Sequence, residues 1–154
     1  MSTAFATSPQ ADFAPVVVRQ RPSVLIIDDD VTLSEVLSHR LKRQGFRAVA
    51  ATSGKAGLNV ARREPPAAII LDLCLPDGHG LAICEQLVDA PETCGVPILI
   101  LSGQDEPELI RRCRAAGCHY FLRKPYDPNA LLVLLDQAIR ESRSWEGSHD
   151  VELI

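Results

Sequence analysis

The stretch Val24–Asp30, VLIIDDD, decides the fold class of this chain of 154 residues. Its four consecutive branched apolar residues are typical of a strand buried on both faces, as strands in a parallel sheet usually are. Three carboxylates follow at the carboxyl end of that strand. Because neighbouring carboxylates repel one another, this much negative charge predicts a cation or a basic side chain nearby. A plain acidic loop is the alternative for such a stretch taken alone.

The composition is that of one globular domain with short extensions. Apolar residues make up 46% of the chain and charged residues 23%, an ordinary balance for a globular protein. No apolar run reaches the length of a membrane span, and the first residues do not resemble an export signal, so we expect a cytoplasmic protein without membrane contacts. The formal net charge of -4 argues against a protein that coats nucleic acid, and no direct nucleic-acid binding is expected.

The cysteines do not have the spacing of a zinc site. The five positions are Cys74, Cys84, Cys94, Cys113 and Cys118. Their number is odd and no two of them form a C-x-x-C pair, so a disulfide framework is not expected either. We expect reduced, mostly buried thiols.

Strand and helix patterns alternate five times in residues 23–143, which we take as the folded domain. The predicted strands are 24–28, 46–51, 67–73, 97–102 and 119–124, and the predicted helices are 31–43, 55–63, 80–89, 107–116 and 128–143. Residues 1–22 are expected to form a flexible amino-terminal arm, and residues 144–154 a short polar tail.

This alternation predicts an α/β fold, with a doubly wound five-stranded parallel sheet and helices on both faces. In the first helix, the residues expected to face the core are Leu33, Val36, Leu37 and Leu41. Ligands of such sheets bind beyond the carboxyl ends of the strands, where the strand order switches. The residues that follow the strands are therefore the ones to examine for function.

Four of the five strand ends carry polar groups that could perform chemistry. These residues are Asp28, Asp29, Asp30, Asp72, Ser102 and Lys124. Each of them taken singly is more often a turn former or a solvated side chain. Together they resemble a site for a hard cation such as Mg²⁺, which prefers oxygen ligands. A carboxylate can also be the nucleophile toward a phosphoryl group, whose oxygens a lysine and a serine could hold.

The motifs resemble the receiver domains of bacterial two-component response regulators, over about Val24 to Arg140. The resemblance is carried by Asp28-Asp29, by Asp72 within IILDLCLPDGHG, by Ser102 followed by Gly103, and by Lys124-Pro125. It implies a flavodoxin-like fold of the stand-alone, single-domain type. It also implies a phosphoacceptor with self-catalysed phosphotransfer and autodephosphorylation at most, and not an enzyme that turns over a substrate.

The resemblance assigns a role to each of these residues. Asp72 would accept the phosphoryl group from a histidine kinase or a histidine phosphotransfer protein. The implied Mg²⁺ ligands are Asp29, Asp72 and the backbone carbonyl of Cys74, with Asp28 acting through water. Ser102 and Lys124 would contact the phosphoryl oxygens, and Phe121 lies where the family has the aromatic residue that is coupled to the serine. The remaining acid, Asp30, would begin the following helix, where negative charge suits the helix dipole.

The output would be a changed protein contact. The expected surface is made by helix 107–116, strand 119–123 and helix 128–143. Arg111, Arg112 and Arg123 would offer a basic patch there, for which a solvated face without a partner is the alternative. The cognate kinase, the downstream target and homodimerisation are left open by the sequence.

Three positions depart from the commoner pattern of the family. His79 stands where a small polar or acidic residue often precedes the glycine, and a loop side chain is the favoured interpretation for it. Cys74 and Gln104 occupy the two positions that tune hydrolysis of the acyl phosphate in the family. They leave the lifetime of the phosphorylated state open.

Two other functions fit parts of the sequence. VLIIDDDVT also matches the haloacid-dehalogenase pattern, in which Asp28 would be the nucleophile and Asp30 the general acid of a phosphatase. That enzyme needs a further acidic motif after the lysine, and the chain offers only Pro125-Tyr126-Asp127 and a helix. The second alternative is a receiver-like module that binds proteins without being phosphorylated, which the complete set of acceptor-site residues disfavours.

Overall fold

The computed structural model describes residues 21–103 and 107–152. The strands are β1 (Ser23–Ile27), β2 (Arg47–Ala51), β3 (Ala68–Asp72), β4 (Cys74–Leu75), β5 (Gly78–His79), β6 (Ile98–Ser102) and β7 (Tyr120–Arg123). The helices are α1 (Val31–Arg43), α2 (Gly54–Arg63), α3 (Gly80–Asp89), α4 (Pro107–Ala116) and α5 (Pro128–Glu152). All ten predicted elements are present, with bounds within one residue of the prediction except at the end of α5.

Five strands form one parallel sheet in the order β2-β1-β3-β6-β7. Residues alternate between its two faces, so Leu25 and Ile27 pack in one core cluster, and Val24 and Ile26 in the other. The first cluster is covered by α2, α3 and α4, and the second by α1 and α5. The predicted doubly wound α/β fold is confirmed. Because the chain leaves β1 toward β2 on one side and continues from β3 toward β7 on the other, the strand order switches beside β1 and β3.

The first helix does not bury all of the predicted residues. Leu37 and Leu41 are buried, but Val36 is 52% exposed, and the buried residue one turn before Leu37 is Ser34. Positions 34, 37 and 41 follow the helical repeat along one stripe, whereas Val36 is turned about 100–160° away from each of them. The prediction that Val36 faces the core was therefore wrong.

The last helix is longer than predicted. It continues past residue 143 to Glu152, so most of the expected polar tail is helical. No proline follows residue 143, and the single Gly147 costs only about 1 kcal/mol in a helix interior, which does not end it. Residues 153–154 and residues 1–20 of the expected amino-terminal arm lie outside the described residues.

A side-chain contact connects the last helix to the sheet. Tyr120 on β7 donates a hydrogen bond to Glu141 of α5. Burial of the tyrosine, together with this bond, raises the pKa of Tyr120 to about 12.

The cysteines differ from the expectation of reduced, mostly buried thiols. Cys84 on α3 and Cys118, shortly before β7, are joined as a disulfide, although 34 positions separate them. Both lie in the core cluster covered by α2, α3 and α4, where these two segments meet. Cys74 and Cys94 are free and exposed. Cys113 is free and buried, and burial raises the pKa of its thiol, which keeps it protonated.

A short hairpin interrupts the connection from β3 to α3. Its strands β4 and β5 pair antiparallel, with Cys74 opposite His79 and Leu75 opposite Gly78. A two-residue turn, Pro76-Asp77, joins them. The sequence did not predict this hairpin, because strands of two residues are too short to show a period. Within the ranges that the structure describes, no helix combines the length and the apolar character needed to cross a membrane.

Candidate functional site

Two buried carboxylates lie at the point where the strand order switches. Asp28 follows β1 directly and is 2% exposed, and Asp72 is the last residue of β3 and is 4% exposed. Asp29 is exposed beside them. One oxygen atom from each of the three carboxylates lies within 4.8 Å of the others. The structure thus brings together three of the acidic residues that the sequence singled out.

Lys124 connects the two buried carboxylates. Its Nζ lies 3.1 Å from Asp72 Oδ2 and 3.4 Å from Asp28 Oδ2. The backbone holds the lysine in place, because Lys124 N donates to the carbonyl of Ser102 at 2.8 Å. Burial by itself would lower the pKa of Lys124, but its bonds to Asp72 and Asp28 outweigh that effect and the pKa is raised. The predicted basic partner of the acidic stretch is therefore this ammonium group.

The two carboxylates are oriented in the same way. Asp28 Oδ1 accepts from Asp30 N at 2.9 Å, and Asp72 Oδ1 accepts from Cys74 N at 3.0 Å. In each group one oxygen is held by the amide two residues later, and the other oxygen faces the lysine. Burial raises the pKa of Asp28; the Asp30 amide opposes this, and the charge of Asp72 adds to it. Both carboxylates are therefore fixed in direction before any ligand binds.

Asp30 serves the helix and not the carboxylate cluster. It is the N-cap of α1, and its Oδ1 accepts from Leu33 N at 3.1 Å. Side-chain oxygens at this position satisfy a backbone N–H that has no partner within the helix. The expectation that Asp30 begins the first helix is confirmed.

Ser102 and Phe121 lie on the strands beyond β3. Ser102 is the buried last residue of β6 and stands opposite Arg123 of β7. Phe121 is half-buried and pairs with Ile100, one strand away. The Arg114 guanidinium on α4 lies 5.3 Å from the centroid of the Phe121 ring. Such a distance is typical of a cation–π contact.

Two of the other predicted positions lie on the hairpin that follows Asp72. Cys74, two residues after Asp72, lies on the hairpin with an exposed side chain, and its backbone is next to the cluster. His79 pairs with it through the backbone. Gln104 lies outside the described residues.

One contact near the site was not found from the sequence. Asp77, at the tip of the hairpin, accepts hydrogen bonds from Gly54 N at 2.9 Å and from Lys55 N at 3.0 Å. These two bonds lower the pKa of Asp77. An aspartate in a turn usually forms a hydrogen bond within that turn, so the sequence did not indicate a distant partner. The only hint was that the first turn of α2 has no acidic residue of its own to favour the helix dipole.

Comparison with known proteins places this arrangement in one family. The Response regulator receiver domain family matches residues 24–136. The two-component response regulator ORR3 of rice is 30% identical over 124 residues, which cover 80% of this chain and 95% of the rice protein. Protein PilH of Pseudomonas aeruginosa is 28% identical and covers 75% of this chain and 96% of its own length. The solved structure of chemotaxis response regulator CheY4 of Vibrio cholerae has a TM-score of 0.72 at 27% identity, covering 77% of this chain and 98% of CheY4.

Neither alternative function is favoured by these findings. The family match covers residues 24–136, most of the folded domain, and none of the relatives described above is named as a phosphatase. Asp30, the general acid of the phosphatase hypothesis, caps α1. The buried acid, the second acid and the lysine that a receiver needs are assembled at one edge of the sheet. The chain therefore belongs to the response regulator receiver domains, the phosphoacceptor modules of two-component signalling.

Proposed function

We propose that Asp72 accepts the phosphoryl group, in a reaction that depends on Mg²⁺, from the phosphohistidine of a histidine kinase or a histidine phosphotransfer protein. The observation that carries the proposal is the fixed Asp72 carboxylate, held by the Cys74 amide on one oxygen and by Lys124 on the other. A carboxylate oxygen attacks the phosphorus, the phosphorus–nitrogen bond breaks, and its electron pair leaves with the imidazole. The positive charge of Lys124 offsets the negative charge that arrives with the phosphoryl group.

The donor set fits Mg²⁺. Hard oxygen ligands are what this ion prefers, and it is commonly held by one or two carboxylates together with phosphate oxygens. Asp29 and Asp72 would bind it directly, the Cys74 backbone carbonyl would be the third protein ligand, and Asp28 would act through water. The exposure of Asp29 beside two buried acids leaves this cluster open to solvent on one side. When bound, Mg²⁺ neutralises charge on the phosphoryl oxygens.

The phosphorylated state would be read through Ser102 and Phe121. The phosphoryl group adds negative charge and acceptor oxygens on Asp72, and the Ser102 hydroxyl is the neutral donor on the neighbouring strand. Movement of Ser102 toward Asp72 opens space behind it, which Phe121 can fill. The face made by α4, β7 and α5 then changes, and the exposed Arg112 and Arg123 lie on it. A downstream protein is the proposed reader of that face.

The donor would dock in a cavity beside the site. A cavity of 420 Å³ lies between α1 and the loop from β7 to α5. Its lining is largely apolar and consists of Leu33, Val36, Leu37, Arg40, Lys124, Pro125, Tyr126 and Pro128. Lys124 lines both this cavity and the carboxylate cluster, so a partner seated here would lie next to Asp72. The exposed Val36, which the sequence had placed in the core, supplies an apolar contact for it.

Donor docking is testable with two phosphodonors. Val36→Asp places a charge in the apolar cavity and should slow transfer from a protein donor about tenfold or more, because burying an unpaired charge is costly. Labelling by acetyl phosphate should be unchanged, since it needs no docking surface. Charge reversal at Lys42, on the same helix, should likewise affect only the protein donor. Equal loss with both donors would show damage to the site or the fold.

Intact-mass analysis after incubation with Mg²⁺ and acetyl phosphate tests the acceptor. The wild type should gain the mass of one phosphoryl group and Asp72→Asn should gain none, because the amide keeps the shape of the side chain but is not a nucleophile. Asp89→Asn, an exposed change at the far end of α3, is the matched control and should behave as the wild type. A phosphoryl mass on Asp72→Asn would mean that another residue is the acceptor.

The proposed chemistry is confined to the chain's own phosphorylation and dephosphorylation. Receiver domains are generally phosphoacceptors, and we propose that this one performs its own phosphotransfer and autodephosphorylation without turning over an external substrate. Repeated release of phosphate from a small phosphomonoester would contradict this. We place the reaction in the cytoplasm, where the kinases of two-component systems present their phosphohistidine.

A further inference from the structure

Asp77 joins two parts of the molecule that are distant in sequence. It lies in the Pro76-Asp77 turn at the tip of the β4–β5 hairpin. Its two carboxylate oxygens are used separately: Oδ1 accepts from Gly54 N at 2.9 Å and Oδ2 from Lys55 N at 3.0 Å. The side chain therefore ties the tip of the hairpin to the first turn of α2.

This tether completes the start of α2. The N-cap Ser53 accepts from Ala56 N through its hydroxyl, at 3.2 Å. The two amides before it, Gly54 N and Lys55 N, donate hydrogen bonds to the Asp77 carboxylate. Side chains therefore satisfy the first three N–H groups of the helix. The first turn of α2 has no acidic residue of its own, and Asp77 supplies the negative charge that suits this end of a helix.

The approach of the hairpin to α2 is close. A Cβ atom on Gly54 would lie 2.6 Å from the Ile83 side chain of α3 and 3.4 Å from Asp77 Oδ1. A side chain at position 54 would therefore require the Ile83 side chain to move. Because glycine has no side chain, the first turn of α2, the tip of the hairpin and α3 can lie against one another.

The base of the same hairpin is fixed to the acceptor strand. Gly80 N donates to Leu73 O at 2.8 Å, and Cys74 N donates to Asp72 Oδ1 at 3.0 Å. Cys74 thus lies between a closed base and a tethered tip, paired with His79 across the hairpin. With both ends held, the Cys74 backbone has little freedom to rotate its amide away from Asp72.

We propose that Asp77 is a positioning residue for the acceptor site. By anchoring the hairpin to α2, it holds the Cys74 backbone in the orientation that directs the Asp72 carboxylate and, on the proposed function, presents the Cys74 carbonyl to Mg²⁺. Groups that hydrogen-bond directly to metal ligands typically change metal affinity by about 10–100-fold when they are removed, and Asp77 acts through the hairpin, so we expect the lower end of that range. Loss of the tether should therefore weaken metal binding without removing any ligand.

The test uses the full chain with Asp77→Ala, with Asp77→Asn, which keeps one acceptor oxygen and nearly the same shape, and with Asp89→Asn as an exposed control on α3. Amide hydrogen exchange is measured by NMR without metal. Mg²⁺ affinity is measured by calorimetry without a phosphodonor. The rate of labelling by acetyl phosphate is then followed as a function of Mg²⁺ concentration.

In Asp77→Ala we expect faster exchange at Gly54, Lys55 and Cys74, about tenfold weaker Mg²⁺ binding, and a labelling rate that recovers at saturating Mg²⁺. Asp77→Asn should lie between this variant and the wild type, and Asp89→Asn should match the wild type. Faster exchange at Gly54 and Lys55 alone, with Cys74 and Mg²⁺ affinity unchanged, would reduce Asp77 to a helix cap and overturn the proposal. If the wild type itself bound no Mg²⁺, the metal site would be wrong, while exchange at Cys74 would still decide whether the tether exists.

Discussion

At the scale of single residues, one ammonium group is shared by two buried carboxylates. Lys124 contacts Asp28 and Asp72, and each acid is also held by a backbone amide. Because removing charges from water is costly, such clusters often lower the stability of the protein even when they are paired. The raised pKa of Asp28, caused chiefly by burial, shows that its ionised form is disfavoured in the folded state.

This cost gives a prediction for Asp28→Asn. Burial raises the folded-state pKa of Asp28 above its ordinary value of 3.8, so the stabilising contribution of the protonated group is complete below that pH and is lost as the pH rises through the folded-state pKa. At pH 7 the asparagine variant should therefore be more stable by about 1 kcal/mol, or roughly 2–4 °C in Tm. Asparagine can still accept from Asp30 N, and Lys124 keeps Asp72 as a partner.

Thermal unfolding of both proteins between pH 3 and pH 7 measures this effect. The difference in Tm should shrink as the pH falls, because Asp28 then becomes protonated in the wild type. The same variant should bind Mg²⁺ more weakly. A lower Tm than the wild type at pH 7 would show that the Lys124 pair stabilises the fold by more than burial costs.

At the scale of elements, α4 and β7 meet where Arg114 contacts Phe121, and this contact would set the resting position of the proposed switch. The Arg114 guanidinium lies over the Phe121 ring, and Phe121 packs at the edge of the core cluster under α2, α3 and α4. A cation–π contact at an exposed site contributes about 0.5–1 kcal/mol. It therefore favours the observed Phe121 conformation by roughly twofold to fivefold over a competing one.

Arg114→Gln removes the cation and should shift this equilibrium. We expect a larger population of the activated arrangement of β7 without phosphorylation, by about twofold to fivefold. NMR shifts of α4 and β7, with and without the phosphoryl mimic beryllofluoride, measure the population. Arg112→Gln, two positions away on the same helix, is the control and should leave the shifts of β7 unchanged. In Ser102→Ala the response to beryllofluoride should be blunted, and a full response there would contradict the coupling.

At the scale of the whole molecule, a disulfide links helix α3 to the segment before β7, the strand at the edge of the sheet. The disulfide from Cys84 on α3 to Cys118 before β7 closes a loop with a sequence separation of 34. Closing a loop of this length restricts the unfolded chain and contributes about 2–4 kcal/mol in typical proteins. The bond therefore raises the free energy of unfolding of the protein.

Counting thiols checks the bond. In denaturant without reductant, an alkylating reagent should modify three cysteines, namely Cys74, Cys94 and Cys113, out of the five in the chain. After reduction all five should react, and the free energy of unfolding should fall by about 2–4 kcal/mol. In Cys84→Ser the four remaining cysteines should react without reductant. Modification of all five in the unreduced wild type would show that Cys84 and Cys118 are not bonded.

The order of elements and the residues of the carboxylate–lysine cluster could be predicted from the sequence because both depend on local pattern. A run such as Val24–Ile27 identifies a buried strand by itself, and Gly117 or Asp127-Pro128 marks the end or start of a helix within a few positions. Parallel strands place their carboxyl ends at one edge, so Asp28, Asp72 and Lys124 could be assigned to one site before any distance was known. The structure confirms that they meet there.

Other features depended on which surfaces meet, and only the tertiary structure decided them. Asp77 contacts an amide 23 positions earlier, and Cys84 pairs with a cysteine 34 positions later. Contacts at these separations do not produce a periodic pattern in the sequence. They depend on how the helices pack and rotate relative to one another, which the sequence pattern does not specify. The exposure of Val36 has the same origin, since packing sets the rotation of α1 about its axis, and that rotation turns Ser34 and not Val36 toward the sheet. Local chemistry thus determined which residues could act, and packing determined how they are held and which surface a partner meets.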